Sequence, residues 1–383
     1  MPTTRFKNTV YRLVLPFCAP RCGQDPLTLE EGHPLVCSRT FLRLIRRYHI
    51  LGSATLLRSE KGTSVAYTKS DVPAHTADKT TFFRVASITK IATAVLAMRL
   101  VDSGLLDLDR PVRDYFTDPS ASCLGEISLR HLLSHTSGIT DPPTLEKDVE
   151  SGKPFPSLLE GMPKYVPGQS FHYSNLAYGI IGCLFEAVLS RPVGDLFQDH
   201  LFTPLGMNAT LEGCILPRER IMPVTRILPW KRNADLVLTP LGSVRLAQPD
   251  PLRHYGHTAG SMYTDIGSLS VLMNVLIRNE TGFLSDASLW EMKRQHASYG
   301  NLSPTLSYGL GLLMINDPAL SESRILGHQG FAYGCADGAF WEESTGRLLI
   351  HLNGGCSEAR TGRLGSANRS FIRWAFRKEL PSW

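Results

Sequence analysis

The stretch richest in chemistry is Ser87-Ile88-Thr89-Lys90, preceded by Phe82-Phe83-Arg84-Val85-Ala86 and followed by Ile91-Ala92-Thr93-Ala94-Val95-Leu96. Residues three apart on a helix share a face, so the Lys90 amine can sit beside the Ser87 hydroxyl. A lysine whose pKa is lowered by burial and neighbouring cations can take that proton and leave a nucleophile. A helix N-terminus adds free N–H groups and partial positive charge, which favour a developing anion. The competing reading of the same residues is a helix-capping serine followed by an exposed lysine.

A second group is Phe171-His172-Tyr173-Ser174-Asn175, just before a helix. Tyr173 and Asn175, two apart in a non-helical turn, can point the same way. Tyr173 can serve as a general base or acid when a lysine lowers its pKa. Asn175 can hold a substrate amide or orient Lys90. The alternative is a loop-anchoring tyrosine and a helix-capping asparagine.

The third group is Gly327-His328-Gln329-Gly330-Phe331. Glycine in a strand lets backbone approach a ligand closely. A backbone N–H here can complete an oxyanion hole with that of Ser87. His328 can shuttle a proton or bind an anionic group, or it can be structural.

Other histidines carry weaker signals. His131 and His135 lie four apart on an expected helix, a spacing open to metal, but no H-E-x-x-H pattern follows and a structural role is the expectation. His254 and His257 flank Tyr255 in a loop that could line a cleft. No phosphate loop or dinucleotide fingerprint sits at a strand-to-helix turn, and no cofactor or metal is expected.

These groups need elements to carry them. Residues 39–49 read as a helix. Ser53–Arg58 and Thr63–Lys69 read as strands joined by Ser59-Glu60-Lys61-Gly62, a hairpin signal. Ser87 opens a helix to about Ser103, stopped by Gly104. Ser128 caps a short helix ending before Gly138. Leu176–Ser190 is an apolar helix closed by Arg191-Pro192, and Thr264-Asp265 caps one running to about Arg278. Tyr308–Ile315, Arg324–Leu326, Ala336–Trp341 and Arg347–Asn353 read as strands, and Ser366–Lys378 as a closing helix. The fold class is therefore α+β: an antiparallel β-sheet formed by both chain ends, flanked by helices, with an inserted all-helical lobe. Residues 1–37 are expected to be an N-terminal extension of uncertain order. Residues 38–383 are expected to form one two-lobed domain, its helical lobe at roughly 116–255. A cleft between lobes is the natural place for a site.

Composition agrees with a globular enzyme: 383 residues, 43% apolar and 20% charged, enough to bury a sizeable core. The net charge of +5 is spread along the chain, and the densest cluster, Arg43, Arg46 and Arg47, reads as a solvated helix face. No nucleic-acid partner is expected. None of the 8 cysteines forms a C-x-x-C pair, and free thiols in a reducing compartment are expected. The N-terminus, with Pro16 and Pro20 in its short apolar run, makes a poor signal peptide. No apolar stretch approaches the ~20 residues that span a bilayer. The expectation is a cytoplasmic protein without a membrane span.

Ser-x-x-Lys, Tyr-x-Asn and His-x-Gly in this order resemble the serine β-lactamase and penicillin-binding-protein superfamily. The resemblance is to the class C β-lactamase-like branch of esterases, D-aminopeptidases and D,D-peptidases. Leu132-Leu133-Ser134-His135-Thr136-Ser137-Gly138 looks like that branch's LLxHTSG signature. Pro167-Gly168, Pro204-Leu205-Gly206-Met207, Ala259-Gly260-Ser261-Met262 and Tyr308-Gly309-Leu310-Gly311 extend the likeness over residues 40–380.

The resemblance implies a serine hydrolase working through an acyl-enzyme on a small ester, amide or short peptide. Ser87 would be the nucleophile, Lys90 and Tyr173 the proton-transfer pair, and Asn175 the holder of network and substrate. The N–H groups of Ser87 and of Phe331, after Gly330, would bind the oxyanion. His328 stands where class C β-lactamases have the lysine of Lys-Thr-Gly. A histidine is mostly neutral at pH 7, which weakens the case for β-lactams and carboxylate-bearing D-Ala-D-Ala peptides and fits better with esterases, or with D-amino-acid amidases and peptidases of this family whose third motif also begins with histidine. The alternatives are an acyltransferase on the same site, a β-lactamase, or a non-catalytic, filament-forming member of the fold. The insert 215–255, with Trp230, Lys231, Arg232 and Tyr255, is expected to shape the pocket.

Overall fold

A computed structural model describes residues 22–30, 39–70, 75–162, 165–228, 231–232, 235–301, 303–358 and 363–377, besides the single positions Val10 and Val14. The chain begins with strand β1 (Cys22–Glu30), helix α1 (Arg39–Arg47) and the hairpin β2 (Ser53–Ser59) and β3 (Gly62–Ser70). Strand β4 (Phe83–Arg84) leads through a 3₁₀ turn at Ala86–Ile88 into helix α2 (Thr89–Asp102). Helices α3 (Leu129–Leu133), α4 (Leu145–Glu150), α5 (Phe155–Leu159), α6 (Asn175–Leu189) and α7 (Val193–Phe197) follow. Next come the two-residue strands β5 (Ala209–Thr210), β6 (Ile227–Leu228), β7 (Lys231–Arg232) and β8 (Tyr263–Thr264), then helices α8 (Ile266–Ile277) and α9 (Asp286–Lys293). The chain closes with β9 (Ala297–Ser298), β10 (Leu306–Tyr308), β11 (Leu313–Ile315), β12 (Ile325–Ala332), β13 (Cys335–Glu342), β14 (Leu348–Asn353) and helix α10 (Ser366–Phe376).

The main sheet is antiparallel, in the order β1-β3-β2-β14-β13-β12-β11-β10-β9. Its middle seam pairs β2 with β14, from Ser53 opposite Asn353 to Arg58 opposite Leu348, so both chain ends build one sheet. β1, inside the segment read as an N-terminal extension, pairs with β3 at the edge.

Strand side chains alternate between faces, and here both faces are buried. Leu56, Ala339 and Ile350 join the core under α2, α6 and α8. Their neighbours Leu57, Phe340 and Leu349 pack with Phe41 and Ile45 of α1 and with Phe371 and Trp374 of α10. That double burial explains why β13 and β14 read as apolar throughout. The outer face of α1 carries Arg43, Arg46 and Arg47 exposed.

Helix α2 is apolar nearly all round, which places it inside, and every residue from Thr89 to Met98 is buried. Helix α6 packs closely against the 255–259 segment: a Cβ on Gly179 would sit 1.7 Å from the Tyr255 carbonyl oxygen. Among the described residues no single helix is long and apolar enough to cross a membrane.

Three expectations change. The strand expected over Tyr308–Ile315 is two strands, β10 and β11, joined by a turn at Gly309–Leu312. Gly311 has φ +75°, and a Cβ there would meet the Ala94 Cβ at 2.3 Å, so the chain folds over against α2 instead of running straight. The strand expected over Arg324–Leu326 extends to Ala332 and includes His328, Gly330 and Phe331. The stretch 116–255 holds α3–α7, but it also carries β5, β6 and β7 and so is not wholly helical. Cys183 and Cys335 are buried free thiols, whereas Cys123 and Cys214 are free and exposed.

Candidate active site

The turn that carries Ser87 is held from both sides. β4 pairs with β8, and the Val85 N–H donates to the Met262 carbonyl at 3.0 Å. Ala86 takes the left-handed conformation, φ +45°, at a cost on the order of 1–3 kcal/mol. That kink turns the strand abruptly into the helix and leaves Ser87 half-buried at the bend. The Thr89 hydroxyl pins it, donating to Ala86 O at 2.6 Å and accepting from the Met262 N–H at 3.1 Å. No side chain caps α2, so Ser87 is not the helix cap of the competing reading.

Lys90 is fully buried on the first turn of α2. Its Nζ donates to Ser87 Oγ at 3.2 Å, Asn175 Oδ1 at 2.9 Å and the Ala259 carbonyl at 2.7 Å. It also lies over the rings of Tyr173, 4.9 Å from the centroid, and Tyr178, at 5.3 Å. Burial pulls its pKa down to about 7, Asp141 opposes that, and Arg84 adds to it. About half of the amine is therefore unprotonated near neutrality, in contact with the hydroxyl whose proton it would take.

Asn175 is set by Asp141. The Asp141 carboxylate accepts from the backbone N–H of Asn175 at 2.9 Å, that of Leu176 at 2.9 Å, Asn175 Nδ2 at 2.8 Å and the Ser174 hydroxyl at 2.8 Å. A carboxylate at a helix start satisfies donors left over by the helix and suits its partial positive charge. Ser174 is the cap of α6, its Oγ accepting from the Ala177 N–H at 3.0 Å. The Asn175 amide is thus fixed in orientation, nitrogen toward Asp141 and oxygen toward Lys90.

Tyr173 stands beside a cluster of rings. His135 lies 4.3 Å from it, 4.8 Å from Tyr178 and 4.8 Å from Tyr308. The Ser174 N–H donates to His135 Nδ1 at 3.1 Å, which fixes the Nε2–H tautomer. Burial, then the Lys90 charge, holds His135 well below the usual imidazole range. His135 is left-handed, φ +59°, beyond the end of α3, so it does not share a helix face with His131. His131 turns back to Ser128, accepting its backbone N–H at 3.1 Å in the capping box of α3.

His328 is buried on β12 with both ring nitrogens engaged. Nδ1 lies 2.7 Å from the Gln329 carbonyl and therefore donates, and Nε2, 2.9 Å from the Tyr308 hydroxyl, accepts. Burial, reinforced by Lys90, lowers its pKa to about 3. The ring is held neutral with both nitrogens engaged, an arrangement that favours the structural alternative over the shuttle. Gly330 faces the nucleophile turn: a Cβ there would meet the Val85 carbonyl oxygen at 2.4 Å. Only glycine lets β12 lie this close to the bend that carries Ser87. The Phe331 ring packs against Gly365, just before α10.

Other expected residues lie elsewhere. His254 Nδ1 is 2.8 Å from Glu186 Oε1 of α6, Tyr255 donates to the Lys153 carbonyl at 2.8 Å, and His257 is buried with neither ring nitrogen paired. Trp230 lies outside the described residues. Sequence reasoning missed Asp141, Arg84, Tyr308 and the Ala259 carbonyl. Asp141 follows the His-Thr-Ser-Gly stretch by three residues, but nothing local ties it to residue 175. A carbonyl acceptor leaves no trace in residue type.

Together these residues form a buried amine on a half-buried hydroxyl, beside a strand that can offer backbone donors. Such an arrangement suits acyl transfer. The structure of EstCE1, described as a hydrolase with promiscuous acyltransferase activity, shares the fold: it superposes with a TM-score of 0.68, covering 88% of this chain and 96% of that one at 21% identity. The family model described as Beta-lactamase matches residues 40–341, and the chain belongs to that family. It is 26% identical over 328 residues to esterase EstB of Burkholderia gladioli, covering 76% of this chain and 82% of that one. It is 32% identical over 179 residues to penicillin-binding protein 4 of Amycolatopsis lactamdurans, a match that takes in 45% of this chain and 43% of that relative.

Proposed function

We propose that the protein is a serine hydrolase that acts through an acyl-enzyme on a small ester or amide. The observation that carries this reading is the Lys90 amine 3.2 Å from Ser87 Oγ, with its pKa drawn down to about 7. Lys90 takes the Ser87 proton as Oγ bonds to the substrate carbonyl carbon. The oxyanion is met by the backbone N–H groups of Ser87 and Phe331. As the tetrahedral intermediate collapses, the leaving alcohol or amine receives a proton from Lys90, with Tyr173 beside it as the second member of the proton-transfer pair. Water, deprotonated by the same pair, then attacks the acyl carbon, and Ser87 leaves with the returned proton. Asn175 holds the Lys90 amine in line. The neutral, committed His328 lacks the charge that would seat a substrate carboxylate, which supports esters over β-lactams.

Turnover of p-nitrophenyl acetate and butyrate tests this, with an initial burst expected from acyl-enzyme build-up. Ser87→Ala should abolish turnover and labelling by a fluorophosphonate probe. Unchanged activity in that variant would refute the assignment, and a chain that no probe labels would favour a non-catalytic member of the fold. The acyltransferase reading is supported by the description of EstCE1. Added alcohol or amine would then yield a new ester or amide, separable from the acid by mass spectrometry.

A further inference from the structure

Arg84 is a buried cation that takes no step in the mechanism proposed above. It lies three residues before Ser87 on β4 and is 9% exposed. Its Nε and Nη1 have no hydrogen-bond partner. Charged groups in interiors are ordinarily paired, so a guanidinium left this way needs a reason. Its surroundings are specific. The guanidinium carbon lies 5.2 Å from the centroid of the Tyr333 ring, and the Tyr333 hydroxyl reaches Glu146 of α4 at 3.4 Å. On the other side, a Cβ on Gly260 would be 3.7 Å from Arg84 Nη2 and 3.6 Å from the Ala86 carbonyl carbon. The preceding residue, Ala259, supplies the carbonyl that accepts from Lys90. The cation therefore stands directly behind the nucleophile turn and the acceptor of the lysine.

We infer that Arg84 is a positioning residue for the Ser87–Lys90 pair, a buried cation kept without a countercharge so that its field keeps the Lys90 amine free to take the Ser87 proton. This rests on the hydrolase reading above. A buried carboxylate that feels that field is Asp337 on β13. It is fully buried, its Oδ1 accepts from the Asn353 N–H at 2.8 Å, and its Oδ2 is unpaired. Burial pushes it up to about 8, so it is mostly protonated and neutral at pH 7, as is the neighbouring thiol of Cys335. Around Lys90 the remaining titratable groups are Asp141, which acts against Arg84, the neutral His135 and His328, and the phenols of Tyr173 and Tyr178.

The test is the pH profile of kcat/KM for p-nitrophenyl butyrate in wild type, Arg84→Met and Arg84→Lys, with folding checked by circular dichroism. Removing the charge should move the acidic limb up by about one pH unit, a roughly tenfold loss at pH 6 that disappears by pH 9. Arg84→Lys should keep the wild-type midpoint. An Arg84→Met profile lowered equally at every pH, or an Arg84→Lys midpoint displaced as far as that of Arg84→Met, would overturn the inference. If Arg84→Met does not fold, Arg84→Gln takes its place under the same criteria. Activity that survives in Ser87→Ala would instead refute the hydrolase reading, so the two failures are distinct.

Discussion

Asp141 and Lys90 are joined through one side chain: the Asn175 amide donates to Asp141 Oδ2 at 2.8 Å and accepts from Lys90 Nζ at 2.9 Å. The carboxylate fixes which way the amide points, and the amide then offers the lysine an oxygen and never a nitrogen. Asp141→Ala would strip four donors of their acceptor at the start of α6. Chemical denaturation should show a loss of about 2–4 kcal/mol, and activity should fall at least tenfold as the amide loses its orientation. A variant as stable and active as wild type would show that Asp141 does not set Asn175.

Lys90 has a folded-state pKa near 7 against an unfolded value near 10.5. Between those values the unfolded chain binds one more proton than the folded one. Stability attributable to this group therefore rises from pH 7 to 10.5, and the cost of burying it is greatest at and below pH 7. Lys90→Met should be inactive. Its melting temperature relative to wild type should be most favourable near pH 7 and should lose that advantage by pH 10. A relative melting temperature that does not change with pH would contradict the buried, half-neutral lysine.

Because Gly330 lies against the Val85 carbonyl, Gly330→Ala must push β12 away from the nucleophile turn. Overpacking of this kind costs about 1–3 kcal/mol. The esterase rate should drop by ~10²-fold or more, since loss of one oxyanion donor alone has that effect. The control is Gly282→Ala, where nothing lies near the added Cβ but the left-handed φ of +61° makes alanine cost about 1 kcal/mol; it should lower stability with the rate left within about twofold.

His328 is neutral down to about pH 3, and both of its ring nitrogens are occupied. The pH–rate profile should show no limb from this residue between pH 5 and 8. His328→Lys would bring a second ammonium close to Lys90 and leave the Tyr308 hydroxyl without its acceptor. Expected outcomes are a melting temperature lowered by several degrees and no gain in β-lactam hydrolysis, followed with nitrocefin. A stable variant that hydrolyses nitrocefin would reverse the reading of this position.

Much of the frame was open to a reader of the sequence. The hairpin of β2 and β3, the apolar α2 and α6, and the serine and aspartate caps Ser128 and Asp265 follow from periodicity and capping chemistry, which act over a few residues. The joined sheet follows from strands at both ends of the chain. The break between β10 and β11 did not, because the apolar run continues through it, and the close approach of Gly311 to Ala94 of α2 at the turn is a tertiary contact. The His328 ring was legible as a departure from lysine, but its pairing with Tyr308 was not.

The residue types and order of Ser87, Lys90, Tyr173, Asn175 and His328 are properties of the sequence alone, and they define the chemistry at issue. Tertiary structure decided the state of those groups. The neutral fraction of Lys90, the orientation of Asn175 by Asp141, the commitment of His328 and the unpaired charge of Arg84 all depend on burial and on partners from distant segments. Desolvation and Coulomb interactions act through space, so no local pattern encodes them.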